Sequence, residues 1–380
     1  MHIPLSRPDI TQKEIDLVNE VLRSPFLALG PKMVEFEEAV ASYVGRKFAV
    51  AVNSGTSGLH LLIKAYGIGE GDEVITTPFS FIASSNCILY ERAKPVFVDV
   101  EPETGNIDPE LIKEAITPRT KAILPVDAFG QPARLDAIRD IARRHGLVVI
   151  EDACEALGSE YKGHKAGSGI FADAAVFAFY PNKQITTGEG GMIVTDDEAV
   201  AKLCRSLRNQ GRGEEGTWLV HERLGYNYRL DEMSAALGVA QMERIEEIIS
   251  RRERVAKLYN ERLSSIEGVK IPFVAPEVTR MSWFVYVIRV GFEEPSPQKQ
   301  AAVRDHVMHR LKEAGIGCRP YFTPIHLQPF YRSQFGYREG DFPVAEMLGR
   351  TSIAIPFHNN LTLEEIDYVA GVLEKALKEC

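Results

Sequence analysis

The chain has 380 residues, 45% hydrophobic and 26% charged, enough for two domains and a large core. Its formal net charge of -9 is spread along the chain and not gathered in a tail, which argues against nucleic acid or an anionic membrane as a main partner. Five scattered cysteines (Cys87, Cys154, Cys204, Cys318, Cys380) form no CxxC pair, and the opening MHIPLSRPDIT has no apolar leader core, so a reducing cytoplasm is expected.

Thr11 with Glu14 reads as a capping box that opens a helix toward Arg23. Strands at 48–52, 73–77, 95–100, 122–126 and 147–152 then alternate with helices at 56–65, 80–91, 108–116 and 135–145. Two more strands follow at 174–179 and 191–196. Short β-branched strands that are apolar on both sides, alternating with helices, predict an α/β fold with a mostly parallel sheet covered on both faces. A long helical pattern runs from Asp231 to about Ile266, and its RRER cluster (251–254) reads as a solvated face. Beyond it, 281–290 reads as a strand and 298–314 and 362–378 as helices of a smaller α+β part. The boundary is expected near 245–270, giving a large domain over 1–250 and a small one over 251–380.

Ligands of parallel α/β sheets bind beyond the carboxyl ends of the strands. Asn53-Ser54-Gly55-Thr56-Ser57-Gly58 follows one strand and opens a helix, where exposed N–H groups and hydroxyls suit an anion. Phe79 and Phe81 follow another strand, and Glu151-Asp152 closes LVVIED. Lys183 lies between the apolar run FAFY and a Gly/Thr loop, and Asn227 sits among aromatics in LGYNYRLDE. Singly, each has a plain structural reading: a helix cap, core rings, an ion pair, a solvated lysine, a turn asparagine. Together, an anion cradle, a flat aromatic, a carboxylate and a lysine match one cofactor, pyridoxal 5′-phosphate. The phosphate needs the cradle, the ring a flat partner, its nitrogen an acid, and its aldehyde a lysine.

The segments NSGTSGLHL, GDEVITTPFSFIASSN, EDACEALGSEY, FAFYPNKQITTGEGGM, LGYNYRLDEMSAALG and YFTPIHLQPFY, in this order, resemble the DegT/DnrJ/EryC1/StrS family of nucleotide-sugar aminotransferases of fold type I. The resemblance covers essentially the whole chain. It implies that Lys183 is the Schiff-base lysine and proton carrier, and that Asp152 pairs with the pyridine nitrogen. Gly55, Thr56 and Ser57 would hold the phosphate, and Phe81 would stack on the ring. Asn227 would reach the phosphate of a neighbouring subunit, making the active unit a homodimer with shared sites. Tyr180, Arg319, Tyr321 and His326 would lie along the sugar-nucleotide site. The implied reaction moves an amino group from a donor, L-glutamate, to a keto-sugar nucleotide for amino-sugar or surface polysaccharide synthesis. Dehydration of the sugar on the same cofactor, or a non-catalytic regulatory role, are the other readings.

Two positions depart from the family pattern. Ala178 stands where many relatives have a phosphate-binding Ser, and Glu155 stands where many have Gln beside the cofactor's phenolic oxygen. Substrate choice is expected in three segments: 24–32, 210–221 and 321–331.

Overall fold

The computed structural model describes residues 1–213 and 219–380, so the middle of the 210–221 segment lies outside the described residues. The expected alternation is realised as β1 (Phe48–Val52), β2 (Glu73–Thr76), β3 (Lys94–Phe97), β4 (Thr120–Ile123) and β5 (Val148–Asp152). A short hairpin, β6 (Glu160–Tyr161) and β7 (His164–Lys165), precedes β8 (Ala174–Ala178) and β9 (Gly191–Thr195). One sheet has the order β1-β9-β8-β5-β4-β2-β3. Only β9 runs against its neighbours, β1 and β8; the other strands share one direction.

Side chains alternate faces along each strand, so both faces must be covered. Ala175, Phe177, Met192 and Val194 pack with Phe36 and Val40 of the helix Pro31–Val44 and with Val239 of Glu232–Met242. Val176 and Ile193, one residue out of phase, pack with Leu59 and Leu62 of Gly55–Ala65 and Leu207 of Glu198–Arg208. The helix Pro31–Val44 was not expected, although Pro31 opens it and Gly45, at φ +76°, closes it. The expected capping box holds: Glu14 accepts the Thr11 N–H at 2.6 Å, opening the helix Gln12–Leu22.

The helical run after Asp231 is broken. Helices Glu232–Met242 and Ile245–Leu263 meet at a turn, where the Arg244 guanidinium is drawn to buried Glu14 at 2.7 Å. The division expected near residue 250 therefore falls inside the second helix. The RRER cluster is not wholly solvated either, since Arg252 is 3% exposed.

Beyond this helix, β10 (Val278–Arg280) pairs with β6, and β11 (Tyr286–Arg289) with β12 (Ser352–Ile355). Helices Pro297–Glu313 and Leu363–Lys378 cover the latter pair. The chain's first residues join this part: the Ile3 N–H donates to the Gly315 carbonyl at 3.0 Å. The strand expected over 281–290 is shortened to β11. Residues 282–284 leave the ladder because they bond elsewhere, with Trp283 at φ +56°.

Candidate active site

Asp152 ends β5 at the carboxyl edge of the sheet and is 5% exposed. A carboxylate so placed needs compensation. It comes from hydrogen bonds, not from a cation: among the described residues no ion pair to Asp152 forms. The Ser84 hydroxyl donates to Asp152 Oδ2 at 2.8 Å, and the Cys154 N–H to Oδ1 at 3.2 Å. Ser84 is steadied in turn by Ser80, at 2.7 Å. Ser84 lies in the first turn of the helix Ala83–Tyr90 and Ser80 in the bend that precedes it after β2. Ser84→Ala strips one buried carboxylate oxygen of its donor. It should destabilise the fold by about 1–3 kcal/mol and slow turnover, whereas Ser84→Thr keeps both. Thermal unfolding and steady-state rates of the two variants check this.

Lys183 lies five residues past β8. Its amine donates to Glu155 Oε1 at 3.3 Å and lies 3.8 Å from the centroid of the Phe284 ring. Glu155 Oε2 accepts the Phe129 N–H at 2.9 Å. Burial raises the Glu155 carboxyl above its ordinary value, while Lys183 and the Phe129 N–H oppose that rise. The Glu155 carboxylate is therefore answered by a basic neighbour. The Cys154 thiol stands among Asp152, Lys183 and Glu155, and burial pushes it well up.

Ser54 caps the helix that follows β1, its hydroxyl accepting the Ser57 N–H at 3.1 Å. The Ser57 hydroxyl donates to Asn53 Oδ1 at 2.7 Å. Helix geometry leaves the first-turn N–H groups of Gly55 and Thr56 without internal acceptors, which suits an anion. A Cβ at Gly55 would lie 2.8 Å from both Ala178 Cβ and Cys154 Sγ, so only glycine lets this turn settle onto the end of β8. At position 178 the cradle is thus floored by a methyl group. These features fit pyridoxal 5′-phosphate: an anion-binding helix end, a buried carboxylate with no cation paired to it among the described residues, and a lysine amine, at one sheet edge.

The structure gathers some of the other expected residues and separates others. Tyr321 faces Glu155, Asn182, Arg319 and Tyr180, and burial raises its phenol. Tyr180 is 52% exposed, and the Arg319 guanidinium donates to the Cys318 carbonyl at 3.0 Å. Phe81 projects from the loop after β2 and is 61% exposed, so this chain does not enclose it. Asn227 is exposed, on a segment whose flanking Tyr226 and Tyr228 rings stack at 4.9 Å. His326 does not line the open cleft. It is fully buried against Phe342, with Nε2 bonded to Glu346 at 3.0 Å, and burial lowers its pKa. Tyr331, in the same expected segment, is also buried and donates to Asn86 at 2.9 Å.

Next to Asp152 but out of phase with it, Glu151 meets Asp127, and both are buried. Asp127 Oδ1 accepts the Ala133 N–H at 2.9 Å, and the Asp127 and Glu151 carboxyls lie within hydrogen-bond reach of each other once one is protonated. Burial, and then the Glu151 charge, push Asp127 well above the carboxylate range; burial raises Glu151 too. The folded pair keeps a proton that the unfolded chain releases near pH 4. Its contribution to stability is complete below that range and is lost as pH rises through the folded value. Asp127→Asn should therefore raise the melting temperature at pH 8, with a smaller gain at pH 5, as thermal scans at the two pH values will show.

The mostly parallel sheet and the residues at its edge define a pyridoxal 5′-phosphate-dependent aminotransferase of fold type I. The chain belongs to the DegT/DnrJ/EryC1/StrS aminotransferase family, whose model matches residues 8–374. It is 41% identical to the GDP-perosamine synthase of Caulobacter vibrioides, over 99% of this chain and 98% of that protein. It is 39% identical to the spore coat polysaccharide biosynthesis protein SpsC of Bacillus subtilis, over 99% and 97%. Among solved structures, Helicobacter pylori PseC, an aminotransferase of pseudoaminic acid biosynthesis, superposes with a TM-score of 0.92 at 30% identity over the full length of both chains. A provisionally assigned sugar aminotransferase of Streptococcus pneumoniae, in its PMP form, gives a TM-score of 0.93 at 28% identity, over 100% of this chain and 98% of that one.

Proposed function

We propose that the enzyme transfers the amino group of L-glutamate to a keto-sugar carried on a nucleotide, in two half-reactions at a site shared by two chains. The observation that carries this reading is the Lys183 amine beside Glu155 at the sheet edge that holds Asp152. The cofactor, when bound, supplies an electron sink for the carbanion. Asp152, hydrogen-bonded by Ser84 and Cys154, would hold a proton at the ring nitrogen. The Gly55 and Thr56 N–H groups anchor the phosphate. Lys183 moves a proton between the donor's α-carbon and the cofactor as base and then acid.

Tyr180, Arg319 and Tyr321, gathered on the open side of Lys183, are proposed to meet the sugar nucleotide. Arg319 brings a cation suited to its phosphates. Two features support a second copy. Asn227 projects outward, and the turn at 24–30 exposes Phe26, Leu27 and Leu29 close by, since Ala28 pairs with Asp231. All five cysteines are free, which supports a cytoplasmic setting. The test is stoichiometry. With a keto-sugar nucleotide as acceptor, one 2-oxoglutarate should form per amino sugar. Sugar consumed without 2-oxoglutarate would favour dehydration and overturn the assignment.

A further inference from the structure

Both neighbours of the Lys183 amine are held from behind. Glu155 is fixed by the Phe129 N–H. Phe284 lies in the stretch 282–284, and its ring is 2% exposed. Arg252 donates from Nε to the Trp283 carbonyl at 2.6 Å and from Nη2 to the Phe284 carbonyl at 2.8 Å. Its Nη1 donates to Asn359 Oδ1 at 3.1 Å. Among the described residues no carboxylate lies within ion-pair range of it. This buried guanidinium is a clamp on two carbonyls, and burial lowers its pKa to about 10.

The same stretch is tied to the lysine's own loop. Gln184, next to Lys183, donates to the Ser282 hydroxyl at 2.8 Å, and Ser159 donates to that hydroxyl at 2.9 Å. The Tyr321 ring lies nearly parallel to Phe284, centroids 6.4 Å apart. The face of Phe284 is therefore presented to the lysine by bonds from three segments distant in sequence.

We propose that Phe284 is a positioning residue for Lys183: its ring face, backed by Arg252, holds the freed amine beside Glu155 and stabilises the positive charge that develops as the amine takes the donor's α-proton. An aromatic face attracts a cation through its quadrupole, and a leucine of similar bulk does not. The freed lysine then gives and takes its proton from one place, where a flexible four-carbon stem would otherwise wander. The proposal rests on the role given to Lys183 above.

The test compares Phe284→Leu with Phe284→Tyr, each loaded with cofactor and mixed rapidly with L-glutamate or its α-deuterated form. Phe284→Leu is expected to keep the visible cofactor band and to discharge it roughly tenfold more slowly, with a larger deuterium isotope effect than wild type. Phe284→Tyr should match wild type. A leucine variant of wild-type speed, a slowed one with an unchanged isotope effect, or a tyrosine variant as slow as leucine would overturn the proposal. A second readout needs no amino donor. In protein loaded with pyridoxamine 5′-phosphate, acetic anhydride should label Lys183 several-fold faster in Phe284→Leu than in wild type or Phe284→Tyr, as quantified by mass spectrometry. Equal labelling in all three would also overturn it. If wild type itself ignores L-glutamate, the donor assignment fails, and the labelling comparison still decides the role of Phe284.

Discussion

Lys183→Ala is expected to fold, to bind the cofactor without developing a visible lysine-bound band, and to lose turnover by roughly 10⁴-fold or more. The amine is both the covalent anchor and the proton carrier, and no other lysine is placed at this edge of the sheet by the described residues. Folding should survive because Glu155, which loses its basic neighbour, already has its carboxyl raised by burial and can take up a proton. The spectrum and the steady-state rate are the measurements. A variant that turned over at wild-type speed would refute the role of Lys183.

Asp152→Asn should give the second largest effect. Asparagine has the shape of aspartate: its carbonyl oxygen can still accept the Cys154 N–H, and its amide nitrogen can donate to a rotated Ser84 hydroxyl, so the visible band should persist. What is lost is the charge that holds a proton at the ring nitrogen. The donor half-reaction should slow by roughly 10²–10³-fold, the scale of removing one preorganised electrostatic contact. Rapid mixing with L-glutamate reads this directly. A variant within a few-fold of wild type would mean that Asp152 is structural.

The sheet was legible because parallel strands buried on both faces write themselves as short unbroken apolar runs, as LVVIED does for β5. Lys183 and Asp152 were legible because each follows such a run at its carboxyl end. Ser84 was harder to find. Its signal is only a second serine four residues after Ser80 where the chain leaves β2, and the helix reading of that stretch does not say which side faces Asp152. Arg252 gave no signal: it sits in a charge run whose other members keep some exposure, and its carbonyl partners lie some thirty residues away in sequence. Phe284 was hidden inside a run that reads as a strand until tertiary bonds from Ser159, Gln184 and Arg252 pull 282–284 out of the ladder. His326 shows the opposite error. A motif placed it at the sugar site, and the carboxylate of Glu346 on the helix Pro343–Thr351 draws it into the core.

The measurement that bears most directly on the central claim is the absorbance spectrum of the cofactor-loaded protein before and after L-glutamate, followed by a keto-sugar nucleotide. The account predicts a visible band that gives way to a near-ultraviolet one with glutamate and returns with the sugar. A visible band indifferent to glutamate, or no visible band with cofactor supplied, would contradict it.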